Sequence, residues 1–176
     1  GDFAIFSEDH GRTWQRGAQV PGKQGGDEDQ LVELADGRIL LDIRQHGGPH
    51  RWMALSSDGG RTWSDPRPGQ PVTPVCCAIE RYTLKSSGDD RDRILWTGPL
   101  GPGRNKLVVR ISYDEGQTFT NERLIADEPA AYSDLSVLKD KSVGVLWERG
   151  NYRFITFTRL TREFLGPAPP EGQTSP

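Results

Sequence analysis

One eight-residue pattern, Ser-x-Asp-x-Gly-x-Thr-(Trp/Phe), occurs three times. Residues 7–14 read SEDHGRTW, residues 56–63 read SSDGGRTW, and residues 112–119 read SYDEGQTF. Successive starts are 49 and 56 residues apart, close to the repeat of about 40–50 residues that marks β-propeller blades. The residue types suit a reinforced hairpin turn. The carboxylates of Asp9, Asp58 and Asp114 can accept hydrogen bonds from main-chain N–H groups a few residues on. The glycine permits a positive φ that a side chain resists. The Ser and Thr hydroxyls can bond locally, and the closing aromatic has surface to hold the turn against its sheet. These aspartates therefore read as structural. Three isolated carboxylates are too few for calcium, and no metal or cofactor is expected.

Between the turns the chain alternates strand-like runs with polar hairpin signals. Val32–Leu34 and Arg38–Ile43 flank Ala35-Asp36-Gly37, Ile79–Leu84 and Arg93–Thr97 flank SSGDDRD, and Leu135–Leu138 and Ser142–Trp147 flank Lys139-Asp140-Lys141. A further strand leads into each repeated turn, at Phe3–Phe6, Trp52–Leu55 and Leu107–Ile111, and Phe154–Thr158 occupies the same place after the third pair. Pro129 interrupts the single helix candidate near Glu122. The reading is an all-β chain of roughly 13 strands. With strands lettered A to D, it holds half a blade, two whole blades, and a blade with A, B and C only. A closed ring needs at least about four blades. Gly1 stands directly before an apolar strand, so the chain reads as beginning in mid-domain, with further blades in other polypeptide. The segment GPAPPEGQTSP, residues 166–176, reads as a disordered tail.

Composition excludes several classes. The 21 Gly and 13 Pro among 176 residues make a turn-rich chain rather than a low-complexity one. A net charge of −3 gives no general attraction to nucleic acid or acidic membranes. No apolar run approaches the roughly 18 residues of a membrane span. The adjacent Cys76 and Cys77 read as two buried thiols, a vicinal disulfide being geometrically poor.

The repeated turns occupy the end of the blades where A joins B and C joins D. A site is expected at the other end. There, Glu28 precedes one strand A and Tyr132 another, while Arg44 and Glu148 each close a strand B. Arg110 lies inside the apolar strand LVVRIS and needs an anionic partner.

With these residues in view, the chain resembles the sialidases (neuraminidases). The three turns are similar to their Asp-boxes, or BNR repeats. DEDQLVELADGRILLDIR is similar to the segment carrying their catalytic glutamate and second arginine. LVVRISYDEGQTF is similar to the segment carrying the third arginine, and AAYSDLSVLKDKSVGVLWERG to that carrying the nucleophilic tyrosine and a later glutamate. The resemblance covers residues 1–165 and implies a six-bladed β-propeller of sialidase type, of which this chain is the C-terminal part. It further implies Tyr132 as nucleophile, Glu28 as its general base, Arg44 and Arg110 as ligands of the substrate carboxylate, and Glu148 as the glutamate orienting a remaining arginine. The implied activity is that of an exo-α-sialidase acting with retention on sialylated glycans. It would need the N-terminal half of the propeller, on the same or another chain, for the first arginine and the acid/base aspartate. A secreted or periplasmic location would follow by the same resemblance. The alternative is a non-catalytic Asp-box propeller that binds glycan or protein, which has no need of the Glu28–Tyr132 pair.

Overall fold

The computed structural model describes residues 1–22 and 26–170. Among these residues, twelve strands account for almost all of the regular structure. β1 (Phe3–Phe6) and β2 (Gln15–Gln19) form a hairpin; β3 (Asp29–Glu33), β4 (Ile39–Ile43), β5 (His50–Ser56) and β6 (Arg67–Pro71) form an antiparallel four-stranded meander. β7 (Ala78–Thr83), β8 (Arg93–Pro99), β9 (Asn105–Ser112), β10 (Thr120–Val137), β11 (Val143–Arg149) and β12 (Phe154–Leu160) follow in chain order as one six-stranded sheet. The count falls one short of the expected number for a physical reason. The outer strand of the third blade and the inner strand of the fourth are the two halves of β10, which pairs with β9 up to Pro129–Asn105 and with β11 from Ala130–Arg149. Pro129 thus sits where the strand changes partners, a place where a missing N–H disturbs the ladder least.

Among the described residues, helix is confined to one 3₁₀ turn at Lys85–Ser87 and one short turn, α1 (Arg162–Leu165), capped by the Thr161 hydroxyl. Beyond it, the carbonyls of Pro167 and Pro169 accept hydrogen bonds from Asn121 and Arg91. The start of the segment read as a disordered tail is therefore tied to the sheet, and residues 171–176 lie outside the described residues.

Neighbouring blades bury their apolar faces against each other. Ala4 and Val20 of the first meet Leu41, Ile43, Ala54 and Trp63 of the second. Along β9 the alternation is visible residue by residue: Val108 faces the second blade, while Leu107, Val109 and Ile111 face the fourth. Both faces are covered, so the strand reads as a continuous apolar run rather than an alternating one. Each such side chain contributes about 1.5–3 kcal/mol by leaving water.

The three repeated turns have the same geometry. In each, the Ser hydroxyl donates to the Asp carboxylate at 2.8 Å and accepts the Gly N–H at 2.8 Å. The carboxylate also accepts the main-chain N–H of the Thr four residues after the Ser-Asp step, at 2.8–2.9 Å, and the Thr hydroxyl at 2.5–2.7 Å. These bonds hold the Asp9 and Asp58 carboxyls down at about 2. The closing aromatics differ. Trp63 is 8% exposed beneath the first blade, whereas Trp14 is 60% exposed, because no sheet among the described residues lies on that side.

Ser56 is buried and is the acceptor of the Gly60 N–H. Ser56→Ala leaves that N–H unpaired and is expected to lower the unfolding free energy by about 1–3 kcal/mol in urea titrations. Ser7→Ala, in the exposed first turn, is expected to cost less.

Candidate active site

Both ends of the blades are defined by the meander order. The Ser-Asp-Gly-Thr turns and the β3–β4, β7–β8 and β10–β11 hairpins lie at one end. At the other, four segments from three blades converge. Glu28 stands immediately before β3, outside a ladder that begins at Asp29–Ile43, and Arg44 stands immediately after β4. Arg104 lies in the β8–β9 turn. Tyr132 falls in the register irregularity of β10 between Ala130 and Ser133. Such a bulge re-aims a side chain that regular pleating would direct elsewhere.

The Tyr132 hydroxyl donates to Glu28 Oε1 at 2.5 Å, although the two residues are 104 positions apart. Arg44 Nη1 donates to the same hydroxyl at 2.9 Å, forms an ion pair with the Glu28 carboxylate, and lies 3.4 Å from Asp27. The guanidinium carbons of Arg44 and Arg104 lie 5.9 and 5.5 Å from the centre of the Tyr132 ring. Arg104 is held in place by donating to the Pro74 carbonyl at 3.0 Å and to the Tyr152 hydroxyl at 2.9 Å. Glu148 accepts the Tyr132 main-chain N–H at 3.2 Å. No arginine among the described residues is bonded to it. Tyr132, Glu148, Cys76 and Gln30, with Leu146 and Ile155, line an open cleft of about 330 Å³.

The electrostatics divide the proton cleanly. Burial resists ionisation of Glu28, but hydrogen bonds from Tyr132 and Arg44 outweigh it and hold the carboxyl below its ordinary value. The hydrogen bond to Glu28, with burial behind it, pushes the Tyr132 hydroxyl above its ordinary value against the opposing charge of Arg44. At neutral pH the resting pair is therefore an ionised carboxylate and a protonated phenol. Cys76 is half-buried, and burial followed by the Glu28 charge raises its thiol. Cys77 is buried and pushed up to about 12. Neither forms a disulfide.

Arg110 does not join this cluster. It shares the strand parity of Val108 and points into the interface with the second blade. There Nε donates to Glu122 and Nη1 to Gln70, both at 2.9 Å, with the guanidinium 5.2 Å from the Trp96 ring. The need for an anionic partner is met by a protein carboxylate. The residue that sequence reasoning missed is Arg104. Its signal was available in its position, since it lies in a B–C turn at the Tyr132 end, whereas Arg110 lies mid-strand.

Comparisons with known proteins show the family and the fold. A family model described as a BNR repeat-like domain matches residues 1–145. The chain belongs to this family, that of the Asp-box sialidases. A sialidase of Micromonospora viridifaciens is 32% identical over 153 residues, 84% of this chain and 23% of its own. A sialidase of Bacteroides fragilis is 28% identical, covering 82% and 27%. Among solved structures, the intramolecular trans-sialidase of Ruminococcus gnavus superposes with a TM-score of 0.78 at 22% identity, covering 94% of this chain and 39% of that one. A Hadza microbial sialidase also gives 0.78, at 25% identity, covering 90% and 32%. The all-β fold is thus that of sialidase propeller blades. The chain spans about a quarter of the length of the first two relatives.

Asp29, next to Glu28, offers a test of the local field. Burial and then the Asp2 charge push its carboxyl up to about 7, against the Arg44 N–H that it accepts at 3.2 Å. A carboxyl raised on folding contributes its stability at low pH and loses it as pH rises through the folded value. Asp29→Asn keeps an acceptor for Arg44 and removes the titration. The drop in unfolding free energy between pH 5 and pH 8, measured by chemical denaturation, is expected to be smaller in the variant than in the parent (pH values about one to two units either side of the raised carboxyl).

Proposed function

We propose that this chain is the C-terminal part, residues 1–165, of a six-bladed exo-α-sialidase propeller that removes terminal sialic acid from glycoconjugates with retention. The observation that carries the reading is the 2.5 Å hydrogen bond between Tyr132 and Glu28, flanked by the guanidinium groups of Arg44 and Arg104. Sialidase names among relatives and neighbours support it.

The residue types suit a substrate with a carboxylate on its anomeric carbon. Arginine forks bind a carboxylate while staying charged at all working pH values. An anionic nucleophile would be repelled by that carboxylate, whereas a neutral phenol is not. As Tyr132 Oη attacks the anomeric carbon, its proton passes to Glu28 and the bond to the aglycone oxygen breaks. That oxygen takes a proton from an acid outside this cluster, supplied by the rest of the propeller. Water then attacks the anomeric carbon of the sialosyl-tyrosine and gives its proton to the conjugate base of that outside acid, while Glu28 returns its proton to the departing Tyr132 oxygen. Two displacements return the starting configuration, and a tyrosine nucleophile is a known departure from the two-carboxylate scheme. In this reading Arg44 and Arg104 hold the substrate carboxylate, Arg110 holds blades together, and Glu148 orients an arginine from the remaining blades.

The test uses the full-length polypeptide that contains this chain. A fluorinated sialosyl fluoride is expected to label Tyr132, located by mass spectrometry of the peptide spanning Ala131–Ser133. Tyr132→Phe is expected to keep sialic acid binding and lose most turnover of an aryl sialoside, and Glu28→Gln to lose about 10²–10⁴-fold. Labelling elsewhere, or near-normal turnover in the Phe variant, would overturn Tyr132 as nucleophile, whereas a parent with neither labelling nor turnover would favour a glycan- or protein-binding propeller.

Two arginines separate the carboxylate site from the blade interface. Arg104→Ala is expected to cost about 2–5 kcal/mol in kcat/KM with little loss of Tm. Arg110→Ala is expected to lower Tm and leave kcat/KM of the folded fraction close to parental. The opposite pattern would return the carboxylate role to Arg110.

A further inference from the structure

Arg51 is wholly buried on β5, and the fork of its guanidinium is almost fully used. Nε donates to Asp42 Oδ2 at 2.8 Å. Nη2 donates to the Asp42 carbonyl at 3.0 Å and to the Glu28 carbonyl at 3.3 Å. Nη1 donates to the Val75 carbonyl at 2.7 Å. Asp42, equally buried, also accepts the Trp96 indole N–H at 3.1 Å.

Two of these bonds leave Arg51's own sheet pair and reach site-facing main chain. Glu28 lies before the β3 ladder, so strand pairing does not fix its carbonyl. Val75 lies before β7, one residue from Cys76, whose carbonyl accepts the Ser133 N–H at 3.4 Å beside Tyr132. One guanidinium therefore spans the segment that carries Glu28 and the segment that abuts Tyr132, across two blades. Fold stability alone is a poor account of this. A buried ion pair is often no more stabilising than apolar side chains of the same volume. What a rigid planar fork supplies, and an apolar pair cannot, is a fixed distance between carbonyls.

We propose that Arg51 is a positioning residue. It clamps the main chain at Glu28 and Val75 so that the Glu28 carboxylate stays within hydrogen-bond reach of Tyr132. The role in turnover rests on Glu28 being the base of Tyr132; the clamp itself does not. Misplacing a reacting group by about 1 Å costs on the order of 10²-fold in rate, and a released Glu28 would also titrate nearer its ordinary range.

The test compares the full-length polypeptide with two variants. Arg51→Met/Asp42→Asn removes both charges while leaving Trp96 an acceptor, and Arg51→Lys keeps the charge but not the fork. Each is read by Tm, by ¹³C NMR titration of the Glu28 carboxyl assigned with Glu28→Gln, and by the pH profile of kcat/KM on an aryl sialoside. The expected result is a folded protein whose Glu28 titration and acid limb both move up by about half a pH unit or more. The accompanying loss in kcat/KM is about tenfold or more, carried by kcat rather than KM. Folded variants with an unmoved Glu28 titration overturn the clamp, even if activity falls. If the parent shows no sialoside turnover, the base assignment falls, and the NMR titration alone decides whether Arg51 holds Glu28.

Discussion

The angle between neighbouring blades decides everything at the site, and the repeated turns set that angle. The Gly60 Cα of the second turn sits against Ala4 of the first blade, where an added Cβ would come within 3.1 Å of the Ala4 Cβ. The Gly116 Cα of the third turn sits against Leu40 of the second blade, where an added Cβ would lie 2.4 Å from a Leu40 methyl. Both glycines also have positive φ, +86° and +77°, so a side chain would be strained as well as crowded. Polar bonds secure the same contacts. Ala18 N–H donates to Arg61 O at 2.7 Å, Arg67 donates to Gly116 O at 2.7 Å, and Arg81 forms a bidentate pair with Glu115, which also accepts the Ala35 N–H. The turn is thus a spacer that a whole blade rests on, and its internal Ser-Asp-Gly-Thr bonds keep that spacer stiff.

Fixing one end of each blade fixes the other, because the strands between are rigid and short. Glu28, Arg44, Arg104 and Tyr132 come from three blades, and no local feature of the chain brings them together. The 2.5 Å contact of Tyr132 with Glu28 is therefore a readout of two blade-to-blade angles. The division of labour has a chemical benefit. The turn end carries carboxylates whose oxygens are taken up by Ser, Thr and main-chain donors, and those bonds hold Asp9 and Asp58 well below the usual carboxylate range. The opposite end carries a carboxylate whose partner is a phenol with its proton still in place. That resting state keeps the phenol neutral beside two guanidinium groups.

The sequence was most legible where a residue's role is set within a few positions. The turns, their aspartates and the hairpins at Gly37 and Lys141 follow from local chemistry, and the structure keeps them. The pairing change inside β10 was not legible, since nothing local tells a strand that its second half will belong to another blade. Arg110 shows the subtler failure. An arginine among Val and Ile does demand an anion, but the demand does not say whose. In a strand buried on both faces, parity decides which neighbour a side chain meets, and Arg110 has the parity of Val108, toward Gln70, Glu122 and Trp96. Arg104 drew no notice because a charged residue in a Gly-Pro-Gly turn looks like an ordinary solvated one.

That contrast bears on how buried arginines are read in such folds. Arg51, Arg110 and Arg104 are three guanidinium groups in related surroundings with three different uses. Arg110 spends its donors on side chains of adjoining blades, Arg51 on main-chain carbonyls beside the site, and Arg104 on one carbonyl and one phenol. Only the last leaves its guanidinium facing the Tyr132 ring in company with a second cation. Two like charges held near one ring are costly in a partly buried place unless a carboxylate lies close to both, and the charges of Arg44 and Arg104 both act on Glu28. Glu28 offsets that cost for Arg44, with which it pairs, but it is not bonded to Arg104. Arg44 has both Glu28 and Asp27 as ion-pair partners, while the donors of Arg104 go to neutral oxygens, so of the two guanidinium groups at the ring Arg104 is the one whose charge is met only at longer range.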